Sequence, residues 1–422
     1  MPDQSRPQEI IHVLGAASPQ AEEQIASVAS VLQSWGYAVR AIGPLTRMGR
    51  RMLAGAGIAT TMTPEPTGES VAARWSDARE LARIISETAP LLVHAHGLRA
   101  GLSGLLARRG LSGAVPVVAS PHLRPYRLSE DPRLGLRRRG YRWVLNHADA
   151  IIVPTETQRD DLGDLDAAAA ERAELVPYAY PAGAQPDSLD LGRRRALLGI
   201  TQSAVVVGCA IDDLAPEALA VFLDAGASVC MEYPSLEFAL IGSDADDPKY
   251  QQLAHERGLL GATVFVNPHD RFRRAISALN VLVTPQRGWP SGMLALQALA
   301  AEVGVVAIEG GEVDEMLGRS PRVTIAAADG AAELGEGIIR RLRAAAAQME
   351  PERDLSAPTG AAAVSLLVSK DFYDIGETWA TPAARKADAS GRGDHGSPPG
   401  DFHPTRAARA LIAVYQRLLG AD

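Results

Sequence analysis

Short apolar runs alternate along this chain with longer segments in which apolar residues recur every three to four positions. The short runs are rich in β-branched residues, which is typical of strands, and the longer segments have the period of helices. Such alternation predicts a mostly parallel sheet covered by helices on both faces. Because the alternation occurs twice, we expect an α/β protein with two Rossmann-like domains facing across a cleft.

A proline-rich stretch separates the two sets of predicted strands. Residues 177–190 read PYAYPAGAQPDSLD, have no apolar period and therefore predict an interdomain linker. We expect an N-terminal domain over residues 1–176 and a C-terminal domain over residues 191–377. The predicted strands are 10–14, 37–42, 91–94, 115–119, 150–153 and 174–176 in the first domain, and 204–209, 237–241, 263–266, 281–284 and 303–308 in the second.

The two ends of the chain carry predicted helices. Residues 19–35 have apolar residues at helical spacing, and Gly36 follows as the expected end of the first helix. Residues 378–400 are rich in Gly, Pro, Ser and charge, which predicts a disordered insertion. In the terminal segment, residues 401–422, an apolar helix face must dock on a domain; it comprises Leu411, Val414, Tyr415, Leu418 and Leu419.

Composition narrows the function classes. The 422 residues are 46% hydrophobic and carry a net charge of −8, which excludes a disordered chain and argues against generic nucleic-acid binding. The sequence shows neither a secretory signal nor a run of ~20 apolar residues. We therefore predict a cytoplasmic protein without a transmembrane segment, which leaves peripheral membrane contact open. Cys209 and Cys230 are expected to be buried apolar residues.

His94 and His96 lie in the segment VHAHG, at the spacing that puts both side chains on one face of a strand. They can be hydrogen-bonded structural residues or can contact a substrate. A metal pair would need further ligands nearby, and the sequence suggests none, so we expect no metal cofactor.

His122 and Arg124 follow a predicted strand in the segment SPHLRPY, where a loop would face the cleft. His122 could bind a sugar hydroxyl or move a proton, and Arg124 could pair with a phosphate or carboxylate. The alternative is a surface loop with incidental polar residues.

A strand, a Gly/Pro turn and a helix follow one another in TPQRGWPSGMLALQALAA, residues 284–301. With Ser291 as the N-cap, free backbone N–H groups and the helix dipole would form an anion site suited to a diphosphate. The alternative interpretation is an ordinary helix N-terminus without a ligand, since every helix begins with such free N–H groups. This predicted donor site comprises Arg287, Ser291, Gly292, Met293 and Leu294.

The segment IEGGEVDEM, residues 308–316, has the same order of strand, glycines and helix start. Gly310 and Gly311 would allow the backbone to approach a ligand closely. The acidic residues that follow are equally well explained as favourable charges at the helix N-terminus.

The order of these segments resembles the family 4 glycosyltransferases. The resemblance covers almost the whole chain and includes VHAHG, VVASPH, NHADAIIVPTETQRDDL, VVVGCAIDD, LEFALIG, SALNVLVTP, ALQALAAEVGVVAIEGG and FHPTRAARALIAVYQRLL. It implies the GT-B fold, with an acceptor-side first domain and a donor-side second domain. It also implies a retaining sugar transfer from a nucleotide-sugar substrate to an unknown glycan or small-molecule acceptor, without a cofactor.

The resemblance weakens at the residues that carry chemistry in the family. Trp289 and Gln297 stand where the family has two glutamates, although Gln297 could still hydrogen-bond ribose hydroxyls. The family's Arg and Lys beside the diphosphate are replaced by the segment CAIDDL, residues 209–214. His122 matches the histidine of the family's active site, and His96 and Arg124 would lie on the acceptor or substrate side.

Three hypotheses remain from the sequence. The first is a divergent transferase in which Arg287 and the helix end hold the diphosphate while His122 contacts the transferred sugar. The second is a catalytically inactive descendant that binds a nucleotide, a glycan or a partner enzyme. The third is another enzyme of this architecture, such as a nucleotide-sugar epimerase or hydrolase, since a fold alone does not set the reaction.

Overall fold

A computed structural model describes residues 8–63, 71–111, 115–122, 134–180, 189–268, 272–327, 330–349 and 402–420. The chain divides into two compact units. Unit 1 comprises the described parts of Met1–Ala182, Gly288–Pro290 and Pro398–Asp422, and unit 2 comprises those of Gly183–Arg287 and Ser291–Ser397.

Unit 1 is built on a parallel sheet of seven strands in the order β3-β2-β1-β4-β5-β6-β7. Its strands are β1 (Gln8–Leu14), β2 (Tyr37–Gly43), β3 (Ala59–Met62), β4 (Leu92–His96), β5 (Val117–Ser120), β6 (Ala150–Val153) and β7 (Ala173–Leu175). Its described helices are α1 (Pro19–Ser34), α2 (Arg47–Gly55), α3 (Val71–Thr88), α4 (Gly97–Arg109), α5 (Leu134–His147), α6 (Glu156–Leu165), α7 (Ala167–Arg172) and the C-terminal helix α15 (Pro404–Leu419).

Unit 2 has a parallel sheet of six strands in the order β10-β9-β8-β11-β12-β13. Its strands are β8 (Val205–Ala210), β9 (Leu236–Ile241), β10 (Thr263–Val266), β11 (Val281–Thr284), β12 (Gly304–Ile308) and β13 (Val323–Ala326). Its described helices are α8 (Leu191–Ala196), α9 (Pro216–Glu232), α10 (Pro248–Glu256), α11 (Phe272–Ser277), α12 (Ser291–Ala300), α13 (Glu312–Leu317) and α14 (Ala331–Met349), with a short 3-10 helix at Leu260–Ala262.

Helix α1 shows how local sequence sets an element's bounds. The Ser18 hydroxyl accepts a hydrogen bond from the Ala21 N–H, and Pro19 occupies the first helical position, where its missing N–H costs nothing. Gly36 ends the segment with φ +91°, a conformation that glycine adopts without steric cost. The helix is therefore bounded where the sequence predicts, within one residue.

The prediction of two α/β units with parallel sheets is confirmed, and the predicted central strands are present within two residues at their ends. Two strands were missed, β3 and β13, which lie at the edges of their sheets. Strand β3 is mostly exposed along its length, and only the two ends of β13 are buried. Edge strands of this kind lack the continuous apolar run by which a buried parallel strand is recognised.

The segment expected to begin the linker packs within unit 1. Tyr178 and Ala179 are buried, and the Tyr180 N–H donates to the Phe402 carbonyl at 2.7 Å. Buried side chains and a backbone hydrogen bond hold this segment in unit 1, although its prolines predict a linker. Asp190, at the other end of the expected linker, is the N-cap of α8. The predicted insertion at residues 378–400 lies outside the described residues.

The C-terminal helix α15 docks on unit 1, because Leu411, Val414 and Tyr415 are buried in the same apolar cluster as side chains of α1, β1 and β4. The expectation that Leu419 also faces the core is wrong, since this residue is 37% exposed at the end of the helix. Among the cysteines, Cys209 is buried and Cys230 is half-buried.

Leu411→Ala and Leu419→Ala test this docking with the same substitution on the same helix. We expect Leu411→Ala to lower the free energy of unfolding by about 2–5 kcal/mol, because it opens a cavity in the core of unit 1. Leu419→Ala should change it by less than about 0.5 kcal/mol. Urea unfolding measures both, and equal effects would show that the helix does not pack as described.

Candidate functional site

Three histidines meet near the middle of the unit 1 sheet. Strands β1 and β4 pair in parallel with His12 opposite His94, and His96 lies two residues further along β4. Because strand side chains alternate between faces, all three imidazoles emerge on one face of the sheet. His12, His94 and His96 are each at least 93% buried.

Hydrogen bonds join His12, His96 and His122 in series. The His12 Nδ1 atom lies 3.0 Å from His96 Nε2, and His96 Nδ1 lies 3.1 Å from His122 Nε2. At these distances each nitrogen pair shares one proton. Both ring nitrogens of His96 are therefore engaged by neighbouring imidazoles. The placement of His96 on the acceptor or substrate side stays a prediction.

His94 is held by hydroxyl groups beside this series. Its Nδ1 atom lies 2.7 Å from the Tyr415 hydroxyl, and its Nε2 atom lies 2.8 Å from the Ser120 hydroxyl. The His94 ring also stacks on the His96 ring, with the centroids 4.4 Å apart. Of the two readings left open by the sequence, hydrogen-bonded structural histidines agree with these contacts.

Burial keeps the cluster uncharged near neutral pH. Desolvation lowers the pKa of His12 to about 4. It also lowers the pKa of His94 and His96 well below the usual range, and the neighbouring histidines add to the effect through charge repulsion. The pKa of the Tyr415 phenol is raised by burial, so this hydroxyl stays protonated.

A cavity of about 40 Å³ adjoins the cluster and is lined only by unit 1 residues. Its polar lining comprises His12, His94, His96, Ser120, His122, Gln24 and Gln158, and the rest of its lining is mainly apolar. Among the described residues that line it, none is a carboxylate, a lysine or an arginine. An imidazolium in this cavity would have no counter-charge there.

His122 lies at the outer end of the series and is only half-buried. Its backbone has φ +44°, which is uncommon for a residue other than glycine and often marks a functional position. The centroid of its ring is 4.3 Å from that of Trp289, whose segment clusters with unit 1. Arg124, the other predicted residue of this loop, lies outside the described residues.

One ring nitrogen from each of His12, His94 and His96 lies within 4.8 Å of the others, as a metal site would require. His12 supplies the nearby third ligand that the sequence did not suggest. However, the hydrogen bonds use both nitrogens of His94 and of His96, so a metal would have to displace existing partners. The absence of a cofactor stays a prediction.

In unit 2, the beginning of α12 differs from the expected anion site. The helix begins at Ser291, which is therefore not the N-cap, and its hydroxyl donates to the Gln286 carbonyl at 2.9 Å. The Gly292 N–H donates to a carboxylate oxygen of Glu312 at 2.7 Å. Glu312 is fully buried, so an internal carboxylate already occupies part of the position expected for a diphosphate.

The remaining predicted donor residues divide between the core and the surface. Met293, Leu294 and Gln297 are buried, whereas Arg287 is exposed. A side chain on Gly311 would meet the Arg287 backbone at 2.8 Å, and the Glu312 N–H donates to the Arg287 carbonyl. Gly311 thus permits two loops of unit 2 to touch, and Gly310 adopts φ +69° beside it.

The aspartates that replace the family's basic residues are part of the loop structure after β8. The Asp212 carboxylate accepts hydrogen bonds from the N–H and the hydroxyl of Ser243. Burial raises the pKa of Asp212, and the Ser243 hydrogen bonds oppose that rise. The Asp212 carboxylate therefore joins two loops within unit 2 through Ser243.

Family comparisons agree with the two-unit structure. A model described as a glycosyl transferase 4-like domain matches residues 21–179, and one described as glycosyl transferases group 1 matches residues 203–344. The chain belongs to the family 4-like glycosyltransferases of the GT-B fold. No described helix of this glycosyltransferase-like protein is both long and apolar enough to cross a membrane.

Two curated relatives match this chain at 28% sequence identity. Alpha-maltose-1-phosphate synthase of Mycolicibacterium smegmatis is 28% identical over 60% of this chain and 69% of its own length. D-inositol 3-phosphate glycosyltransferase of Mycobacteroides abscessus is 28% identical over 51% of this chain and 50% of its own length. The chain therefore aligns with only half of the second relative.

Among solved structures, the Anabaena protein Alr3699/HepE in complex with UDP-glucose resembles this glycosyltransferase-like chain with a TM-score of 0.64. The match covers 97% of this chain and 99% of that protein at 15% sequence identity. At this identity the similarity establishes the fold and not the substrate.

Sequence reasoning missed His12, Ser120 and Tyr415 as members of the histidine cluster. A signal for His12 existed, because it is the one polar residue in the apolar run IIHVL of a central strand. Ser120 ends β5, and Tyr415 lies 321 residues from His94 in the chain. Only the pairing of strands and the docking of α15 bring these residues together.

The lowered pKa of His12 predicts a loss of stability in acid. The unfolded chain takes up a proton near pH 6.5, whereas folded His12 does so only near pH 4, so its stabilising contribution is present above pH 6.5 and is lost between these values. The free energy of unfolding should fall by about 3 kcal/mol from this residue alone.

Urea unfolding between pH 7 and pH 4 measures this dependence, with His12→Leu as the comparison. The variant should lose less stability on acidification than the wild-type protein, because its residue 12 cannot bind a proton. Parallel pH dependences would contradict the assignment.

Glu312→Ala tests the internal anion at the beginning of α12. We expect the free energy of unfolding to fall by about 1–3 kcal/mol, because the buried Gly292 N–H loses a charged acceptor. Glu309→Ala is the matched control, since Glu309 is exposed two residues before Gly311. A shift in the urea midpoint of equal size in both variants would argue against a specific role for Glu312.

Proposed function

We propose that this protein transfers a sugar from a nucleotide-diphosphate donor to a glycan or small-molecule acceptor. The observation that carries the proposal is the ordered match of two glycosyltransferase models to two successive Rossmann-like units. The complex of the structurally similar Anabaena protein with UDP-glucose supports a nucleotide-sugar donor. If the transfer follows the family, it retains the anomeric configuration.

In this proposal, His122 contacts a sugar substrate. Its half-buried ring ends the histidine series, and its unusual backbone conformation orients it. The names of both curated relatives contain a phosphorylated sugar or cyclitol. Phosphorylated small molecules are therefore the first acceptors to test.

The donor diphosphate would be held from unit 2 by Arg287, the α12 helix end with Ser291 to Leu294, and the loop containing Gly310 and Gly311. Arg287 is exposed, so its side chain lies at the surface of unit 2. Gln297 would serve the ribose only after a change in conformation, since it is 4% exposed. The protein would act in the cytoplasm, where nucleotide sugars are available.

One observation favours the second candidate function, a catalytically inactive descendant of a glycosyltransferase. Glu312 places a carboxylate on the Gly292 N–H, where a diphosphate would otherwise bind. A transferase must move this side chain or bind the diphosphate beside it. A non-catalytic protein could retain the contact permanently as a structural feature.

Thermal unfolding with a panel of nucleotides tests donor binding without a known acceptor. The panel comprises UDP, GDP, ADP, TDP and their common sugar conjugates. A ligand at 100 times its Kd stabilises the folded state by about 2.7 kcal/mol, which raises the Tm by roughly 5–10 °C. A selective shift followed by sugar transfer to a phosphorylated acceptor would support the transferase, whereas a flat panel would favour the inactive alternative.

Arg287→Ala should weaken binding of the selected nucleotide by at least about tenfold, because a hydrogen-bonded charge opposite the diphosphate is lost. Arg319→Ala is the control, since this exposed unit 2 arginine changes the net charge equally. Titration calorimetry measures both affinities. Unchanged affinity in Arg287→Ala would remove Arg287 from the donor site while leaving donor binding itself intact.

A further inference from the structure

Unit 1 has a second cavity, at the carboxyl ends of β1, β2 and β3, that shares no lining residue with the cavity beside the histidines. Helices α3 and α4 supply its other walls. Ligands of open parallel sheets bind outside the carboxyl ends of the strands, beside the point where the strand order reverses. In unit 1 the order reverses between β1 and β4, so this cavity lies where the topology favours a ligand.

Gly15, directly after β1, lets helix α4 approach the end of that strand. A Cβ atom at position 15 would meet the Ala100 backbone nitrogen and the Arg99 Cβ atom at 2.9 Å each. A side chain other than hydrogen would therefore push the first turn of α4 outward. This close packing brings Arg99 to the wall of the cavity.

An ion pair between α3 and α4 forms the polar wall. Arg99 donates through Nε and Nη2 to the same carboxylate oxygen of Asp77, at 3.1 and 2.6 Å. Both side chains are half-buried. Ser103 follows Arg99 by one turn of α4, lies on the same helix face and is 6% exposed. The cavity thus presents a carboxylate, a guanidinium and a hydroxyl on neighbouring helices.

The charges around the cavity disfavour an ionic ligand. Among the described residues that line it, the charged ones are Asp77, Glu80 and Arg99. Arg83 pairs with both Glu80 and Glu87, and its hydrogen bonds lower the pKa of Glu80, which stays ionised. The excess of carboxylates repels a phosphate, and the guanidinium in the same wall repels an ammonium group.

The size of the cavity matches two hydroxyl groups. Its volume is about 30 Å³, and one water-sized group needs ~10–15 Å³ of such volume. A hydroxyl both donates and accepts hydrogen bonds, so it fits a carboxylate that lies beside a guanidinium. The apolar part of the lining, which includes Leu14, Ile42 and Leu81, can contact the carbon atoms that carry the hydroxyls.

We propose that this cavity binds two neighbouring hydroxyl groups of an uncharged sugar or cyclitol. The hydroxyls donate to the Asp77 carboxylate and accept from the Arg99 guanidinium, with Ser103 at the side. The binding of a diol follows from the cavity, and only its assignment to the acceptor of a sugar transfer rests on the proposed function. A phosphate carried by the same molecule stays outside the cavity.

Saturation-transfer-difference NMR of the full-length protein, without nucleotide, tests this binding. The probes are myo-inositol and D-glucose as uncharged polyols, and methyl phosphate as an anion. We expect at least one polyol to bind with a Kd of about 1–10 mM, as for a small ligand held by few contacts. Absence of binding by both polyols would overturn the proposal.

Two substitutions locate the bound polyol. Asp77→Asn keeps the shape of the side chain but removes its charge, so it should weaken binding by at least about tenfold. Ser103→Leu fills the cavity and should abolish binding. Asp224→Asn is the matched control, because Asp224 pairs with Arg257 in unit 2 at 2.7 Å and should leave polyol binding unchanged.

Near-UV circular dichroism verifies that each variant is folded, and Asp77→Asn decides the question if Ser103→Leu is not. Equal affinity of a polyol for wild-type protein and Asp77→Asn would contradict the proposal. Binding of methyl phosphate that is lost in Ser103→Leu would make the cavity an anion site and overturn it as well.

The nucleotide panel separates this inference from the proposed function. If a polyol binds through Asp77 while no nucleotide binds, the proposed transferase fails and the diol site stands. If a nucleotide sugar binds but neither polyol does, the diol site fails alone. If both bind, the polyol that Asp77→Asn weakens should accept the sugar in a transfer assay, and Asp77→Asn should raise its KM by about tenfold.

Discussion

The parallel pairing of β1 with β4 determines the polar centre of unit 1. His12 stands opposite His94 in the register, which places three imidazoles among apolar side chains of the sheet and its helices. A buried polar ring must find hydrogen-bond partners or lose free energy. The rings satisfy this requirement with one another and with two hydroxyls, one from β5 and one from the C-terminal helix. A register shift of one residue would turn the histidines of one strand to the opposite face.

This constraint also connects the C-terminus to the site. Tyr415 contributes its hydroxyl to His94 while its ring packs in the core of unit 1. Helix α15 therefore both covers apolar surface and completes a polar network. Its position explains why the end of the chain belongs to the first unit although it follows the second in sequence.

In unit 2, the helix end that was predicted to bind the donor diphosphate is engaged by contacts within the unit. The close approach of the Arg287 and Gly311 backbones positions Glu312 next to the beginning of α12. A buried carboxylate at a helix N-terminus is favourable, because it accepts a backbone N–H and opposes the helix dipole. The same arrangement uses a donor group that a nucleotide diphosphate would need. If the protein binds a nucleotide-diphosphate donor as proposed, either Glu312 must move or the phosphates must make other contacts.

The amino-acid sequence alone predicted the two α/β units, their central strands and the family. Buried parallel strands appear as continuous apolar runs, and the segments that resemble the family follow one another along almost the whole chain. It also singled out His96 and His122, since each lies beside a recognisable strand end. It could not show that His96 is enclosed by other histidines, that Glu312 binds the Gly292 N–H, or that residues 178–179 pack within unit 1. These outcomes depend on which strands are neighbours and on contacts between residues far apart in the chain. They follow from the folded structure, because hydrogen-bond partners are residues that lie close in space. The local sequence does not indicate which distant residues these are.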